Sequence, residues 1–245
     1  MEELPEGARR ALERARAEPL SYAVRILCAP DGRLVVVLGE AHLKLAKAAE
    51  IGKDVVSQFE LRGVETFQRK RVIGGRALGV VITAPRTLLR ALSFGAIKGS
   101  TITEAKQLPS GHTVELERAK HVPLGLHVAS LYMTAFFVVA LLAWSAPLLV
   151  VIAPALAAVI TLLAFAFQVH MLALAPGILL RRYHWSWLIH PFLGILTLRD
   201  EQMAAGTVRM LEDHPAARAA VVVMGRAHVS GYDRLLVDRY GFTRL

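Results

Sequence analysis

LVVVLGEAH, Leu34 to His42, recurs near the other end of the chain as AVVVMGRAH, Ala220 to His228. A β-branched run bounded by Gly reads as a buried strand of a parallel sheet, and the Gly lets the backbone turn sharply as it leaves the strand. Each His then sits just past a strand's carboxyl end. Open α/β sheets bind their ligands along that edge, so two such strands side by side would make His42 and His228 halves of one site.

Working outward, YAVRILCAPDGRLVVVLGE (22–40) alternates, turns at Pro30-Asp31-Gly32 and then runs apolar, the pattern of a hairpin that feeds the first motif. Residues 43–59 carry apolar positions at helical spacing, and GVETF after them is short and β-prone, with Glu65 inside it. Beyond QRKR and a break at Gly74-Gly75, the pattern predicts a helix from Pro85 to about Ile97. HTVELERAK alternates in polarity, which puts Glu117 on an exposed face. LRDEQMAAGTVRMLEDHP reads as a helix that carries Arg199 and Asp200 at its start and is closed by Pro215. The last motif is followed by a short helix ending near Gly241.

Mean hydropathy is +0.44, and the excess is concentrated in one block: His121 to Leu180 contains no Asp, Glu, Lys or Arg. A bilayer span needs about 20 apolar residues, so this block holds two spans and a turn. Trp144-Ser145-Ala146-Pro147 divides it, with spans expected at 124–144 and 147–172. Arg118 and Lys120 on one flank and Arg181 and Arg182 on the other place both flanks in the cytoplasm and the uncharged turn outside. His184 to Leu198 is apolar but short and interrupted by His190-Pro191, which favours an interfacial or re-entrant segment.

The expected architecture is therefore α/β: a discontinuous soluble domain with a central, mostly parallel sheet, interrupted by an inserted transmembrane helical hairpin. Residues 1–120 and 199–245 form its two parts, and 121–198 form the insertion. The chain is expected to be a multi-pass integral membrane protein, in the cell inner membrane if its source is bacterial, with its soluble domain in the cytoplasm.

The first 20 residues are charged and lack the apolar stretch of a secretory signal, and they read as a surface helix. A single cysteine, Cys28, excludes an internal disulfide framework and a Cys-based zinc cluster. Net charge is +9, but Lys and Arg are spread along the soluble parts with no recognised nucleic-acid module. Basic residues at the membrane flanks point to anionic lipid instead.

Two imidazoles with carboxylates at converging strand ends suit a divalent metal such as Mn, Co or Zn. Glu40 stands two residues before His42 and would face the same ion if the strand continued. Such a metal would polarise a carbonyl, with a spare Glu as general base; Arg199 would stabilise an oxyanion and Asp200 would orient an imidazole. For His121, His127, His170, His184 and His190, in or beside the membrane region, the expectation is interfacial hydrogen bonding, with His170 a minor functional suspect.

Gly39-Glu40-Ala41-His42, Glu65 in a following strand, RDEQMA from Arg199 to Ala204 and VVMGRAHVSGYDRLLVDRYGF from Val222 to Phe242 together resemble the TraB/PrgY family. That family is grouped with the TIKI proteins and, more distantly, with GumN, ChaN and erythromycin-esterase-like proteins. The resemblance spans the soluble portion, and its last motif is the most specific part. It implies an α/β domain with a metal-dependent peptidase site, and for some members a role in inactivating or sequestering peptide signals. Carried over position by position, the site is His42, Glu65, Arg199, Asp200 and His228. The membrane segments interrupt the domain here, whereas in TraB members they tend to follow it.

The first expectation is thus a membrane-embedded, metal-dependent hydrolase, a peptidase, with His42, Glu65 and His228 as metal ligands and Glu40, Glu65, Arg199 and Asp200 as catalytic groups. The second is a non-catalytic receptor that sequesters a peptide in the same cleft. A transporter built on two spans without an acidic residue is disfavoured. Expected partners are membrane lipid, a peptide or protein substrate and further copies of the chain, with no nucleic acid.

Overall fold

The structure is a computed structural model that describes residues 4–41, 44–94, 96–118, 121–172 and 191–245. The chain divides into two compact units: 1–67, 85–119 and 199–245 in one, 68–84 and 120–198 in the other.

The first unit is built on a six-stranded sheet. The hairpin expected at 22–40 is present as β1 (Tyr22–Cys28) and β2 (Leu34–Glu40), paired antiparallel. Four further strands complete the sheet: β4 (Leu61–Val64), β6 (His112–Glu115), β7 (Ala219–Gly225) and β8 (Thr243–Arg244), in the order β6-β4-β7-β2-β1-β8. β6, β4, β7 and β2 are mutually parallel, so the sheet is mostly parallel, as expected. A separate two-stranded ribbon pairs β3 (Lys44–Leu45) with β5 (Ile97–Lys98).

Helices cover both faces. Even-numbered side chains of β2 (Leu34, Val36, Leu38) pack against α1 (Glu6–Arg16), α2 (Ala46–Ser57) and α4 (Thr101–Gln107). The odd-numbered Val35 and Val37 point the other way, with Leu61, Val222 and Met224, onto Met203, Met210, Tyr232 and Leu236. This two-sided burial is why both Val-rich runs lack alternation. The residues on that second face belong to α7 (Pro191–Asp213) and α8 (Val229–Tyr240). The N-terminal helix buries Ala8, Ala11, Leu12 and Ala15, an apolar stripe hidden within a highly charged segment.

The chain steps outward from β2 to β4 to β6 with α2 and α4 on one face, then returns to β7 between β4 and β2 with α7 on the other. Crossovers of one hand must change face when they reverse direction, and the crevice at such a reversal is where α/β sheets bind ligands.

The second unit contains α5 (Leu124–Ile152) and α6 (Pro154–Leu172), which pack on each other after a one-residue break at Ala153. The expected division at 144–147 is corrected: α5 continues through Pro147. Pro154 is where the helix restarts, a first-turn position at which a missing N–H costs nothing. Within α5, Leu124–Ala143 has a mean hydropathy of 2.0 and is long and apolar enough to cross a bilayer; it alone meets that test among the described residues. His127 accepts a hydrogen bond at Nδ1 from the Ile73 N–H (3.0 Å).

Two other helices differ from expectation. The helix predicted from Pro85 to Ile97 is α3 (Gly75–Leu92), which begins directly after the left-handed Gly74 (φ 74°). Of the segment 184–198, positions 184–190 lie outside the described residues. Residues 191–198 are the first turns of α7, which runs on through Arg199 and Asp200.

Candidate functional site

Along four parallel strands the chain places a polar residue at or just beyond each carboxyl end: Glu40 on β2, Glu65 after β4, Glu117 after β6 and His228 after β7. Three of these converge, and Arg199 and Asp200 of α7 meet them.

His228 lies in the single 3-10 turn Arg226–His228 that follows Gly225. Its Nδ1–H donates to Asp200 Oδ1 at 2.6 Å, which fixes the ring orientation and turns Nε2 away from Asp200. Nε2 faces Arg199 Nη1 at 3.5 Å and Glu65 Oε1 at 3.7 Å. The Arg199 guanidinium reaches Glu117 with two bonds, Nε to Oε1 (2.6 Å) and Nη2 to Oε2 (2.9 Å), and Glu65 Oε1 with a third (2.7 Å). Its carbon lies 4.9 Å from the centre of the Phe67 ring. The other Glu65 oxygen accepts from the Gly225 N–H, so the end of β7 is tied to the end of β4.

Glu117 and Asp200 are 1% exposed, His228 4% and Arg199 7%, while Glu65 and Phe67 are half-buried. Burial disfavours the charged guanidinium, but Glu117 and Glu65 outweigh it and carry the Arg199 pKa above its ordinary value. Arg199 is cationic at every accessible pH. Among the described residues the cluster holds three carboxylates against this one fixed positive charge.

The structure therefore brings together Glu65, Arg199, Asp200 and His228 from the expected set. His42 lies outside the described residues. Glu40 is elsewhere: it shares the parity of Leu34, Val36 and Leu38, so its side chain enters the opposite face from Glu65. There it pairs with the Lys44 ammonium, accepts from the Ser100 hydroxyl and takes the Thr101 N–H at 2.7 Å. Lys44 also donates to Thr101 Oγ1 (3.2 Å), and both ion-pair side chains are fully buried.

Two expectations are corrected. Glu117, read as exposed, is buried against Arg199; the same strand-end rule that singled out His228 would have found it on β6. Arg199 and Asp200 are mid-helix residues, because the helix starts at Pro191. Being consecutive, they send one side chain to the carboxylates and the other to the imidazole.

As metal donors, no three of the described His, Cys, Asp and Glu side chains converge on one point. Two donors do approach each other, His228 Nε2 and Glu65 Oε1 at 3.7 Å, close to the roughly 3.3 Å between ligands of a tetrahedral zinc with 2.0–2.1 Å bonds. The orientation of His228 by Asp200 is of the kind that holds ligating imidazoles.

No protein-family model matches the chain, and neither curated proteins nor solved structures provide a match.

Proposed function

We propose that this chain is a membrane-embedded hydrolase of the TraB/PrgY kind, a peptidase, whose site is the Asp200–His228 pair with Glu65 and Arg199 at the carboxyl edge of the sheet. The observation that carries the reading is the orientation of His228: Asp200 holds Nδ1–H at 2.6 Å, so Nε2 is presented where Glu65 and Arg199 meet. In that position Nε2 can take a proton or ligate a cation. Arg199 Nη1, beside Nε2, would bind a developing oxyanion there, and Glu117 holds the guanidinium in that orientation through its two bonds.

His228, Glu65 and, from the sequence, His42 would hold a divalent Mn, Co or Zn ion. When bound it would supply Lewis-acid activation of water and of the scissile carbonyl. For the membrane part, the apolar stretch Leu124–Ala143 and the helix α6 packed on it support a hairpin insertion, and the flanking Arg118, Lys120, Arg181 and Arg182 support a cytoplasmic catalytic domain.

One feature favours the receptor reading. Arg199 already bonds Glu65 Oε1 at 2.7 Å and supplies the charge that a metal would otherwise bring. Elemental mass spectrometry on detergent-purified protein, with cleavage of a fluorogenic peptide library, separates the two. The hydrolase reading expects about one equivalent of metal in the wild type, and loss of metal and cleavage in His228→Ala with the fold retained by circular dichroism. Wild-type protein that stays metal-free and inert after reloading with Mn, Co and Zn would leave the peptide receptor.

A further inference from the structure

Between Glu65 and Glu104 the sequence contains seven Lys and Arg and no acidic residue. Helix α3 occupies the middle of that stretch, and its last two turns leave a face bare. Leu88, Leu89 and Leu92 recur at the spacing of one helical side and are 59%, 47% and 63% exposed. Arg90 projects on the opposite side by the same geometry. Phe94, just beyond the helix, is 99% exposed. It is also the one described non-glycine residue with a positive φ, 48°. A bulky residue in the left-handed region is strained, so an aromatic ring held in water there lacks any packing reason.

The charges are as uncommitted as the apolar face. Arg90 and Lys98 make no ion pair among the described residues, whereas elsewhere in the same unit Arg14, Lys106 and Arg244 each have a carboxylate partner. An apolar face flanked by unpaired cations, with no acidic residue in the segment, is complementary to a bilayer whose headgroups are anionic. A second copy of this +9 chain would meet that charge with net repulsion, and a neutral or basic peptide would leave it uncompensated.

We infer that the carboxyl-terminal half of α3 with Phe94 is an interfacial anchor that lies on an anionic lipid surface, with Leu88, Leu89, Leu92 and Phe94 in the acyl boundary and Arg90 at the headgroups. Nothing in it depends on the chemistry of the Asp200–His228 pair or on whether the apolar hairpin inserts.

The test uses the full chain in a Cys28→Ser background, with Leu88→Cys carrying an environment-sensitive nitrobenzoxadiazole label. The protein is reconstituted into vesicles of phosphatidylcholine alone or of phosphatidylcholine with phosphatidylglycerol; a parallel sample is added to preformed vesicles, so that failure of the hairpin to insert leaves the readout intact. The expected result is a blue shift, at least a doubling of emission and quenching by shallow nitroxide lipids in the anionic vesicles only. Each basic residue near such a surface multiplies affinity roughly five-fold. Arg90→Gln/Lys98→Gln should therefore lower the docked-to-undocked ratio about 25-fold and largely suppress the emission change. A label that stays open to aqueous iodide in the anionic vesicles overturns the inference. So does a label shielded equally in phosphatidylcholine and in detergent, which is the signature of coverage by protein, including a second copy.

Discussion

Arg199→Met isolates the electrostatic core of the site. The substitution nearly preserves the length of the side chain and its packing against Phe67, but removes the bonds of 2.6 and 2.9 Å to Glu117 and of 2.7 Å to Glu65. Both carboxylates then remain buried without their shared cation. Breaking a buried pair by removing one partner costs about 3–5 kcal/mol, much more than a surface pair is worth. For a chain of this size each kcal/mol moves Tm by roughly 2–4 °C, so a fall of about 6–20 °C is expected in a far-ultraviolet circular dichroism melt. Adding Glu117→Gln removes one of the stranded charges, and the double variant should recover about 1–3 kcal/mol relative to the sum of the single losses. A loss below about 1 kcal/mol, or strictly additive losses, would refute the assignment of Arg199 as counter-ion to this cluster.

Tyr22, whose hydroxyl donates to the Ala48 carbonyl at 2.6 Å, has its pKa pushed up to about 12 by burial. The folded state thus keeps a proton that the unfolded chain loses near pH 10, and about 3 kcal/mol of stability present below pH 10 should vanish between pH 10 and 12; urea titrations across that range should show a flatter loss in Tyr22→Phe. Gly206→Ala tests close packing against propensity: helix propensity alone favours Ala by about 1 kcal/mol, but the added methyl group would overlap the Leu116 carbonyl oxygen, and a net loss of about 2 kcal/mol is expected by chemical denaturation. Glu40→Gln should lower stability by roughly 3 kcal/mol by stranding the Lys44 ammonium, with the metal content of the protein unchanged; metal loss at unchanged stability would instead make Glu40 a ligand.

Prolines separate what could be read in the sequence from what could not. The Val-rich runs, the Pro30-Asp31-Gly32 turn and the terminal Gly241 announced their elements because each local signal has one meaning: two-sided burial, a tight turn, a left-handed cap at φ 70°. A proline has two. Pro147 was read as a stop but lies inside α5, whereas Pro154 and Pro191, which break an apolar run in the same way, open α6 and α7. Only packing distinguishes a tolerated kink from a first-turn position, and misreading Pro191 moved the start of α7 by two turns, with Arg199 and Asp200 at its new end. Glu117 was lost to a similar ambiguity. VELE alternates like a solvated strand, and the alternation alone does not reveal that the last Glu lies beyond the strand, against a guanidinium 82 positions away.

The paired motifs teach the subtler lesson. Gly39 and Gly225 occupy equivalent places in the two nonapeptides, yet the parallel register sets Gly39 opposite Met224 and Glu40 opposite Gly225. The motifs are staggered by one residue. Because side chains alternate faces with a period of two, equivalent positions of the two motifs project to opposite sides of the sheet. Glu40 therefore enters the face of α1, α2 and α4, while the residue beyond Gly225 is released by a 3-10 turn that carries His228 toward α7. Two similar sequences build unlike halves: one closes a buried ion pair with Lys44, the other presents an imbedded imidazole to Asp200. Gly39 itself is explained by the second half, since a methyl group there would overlap Val229 at the start of α8. The repetition in sequence thus reflects the shared need of a buried strand to end in a close turn, and the chemistry of each end is set by the face onto which the register turns it.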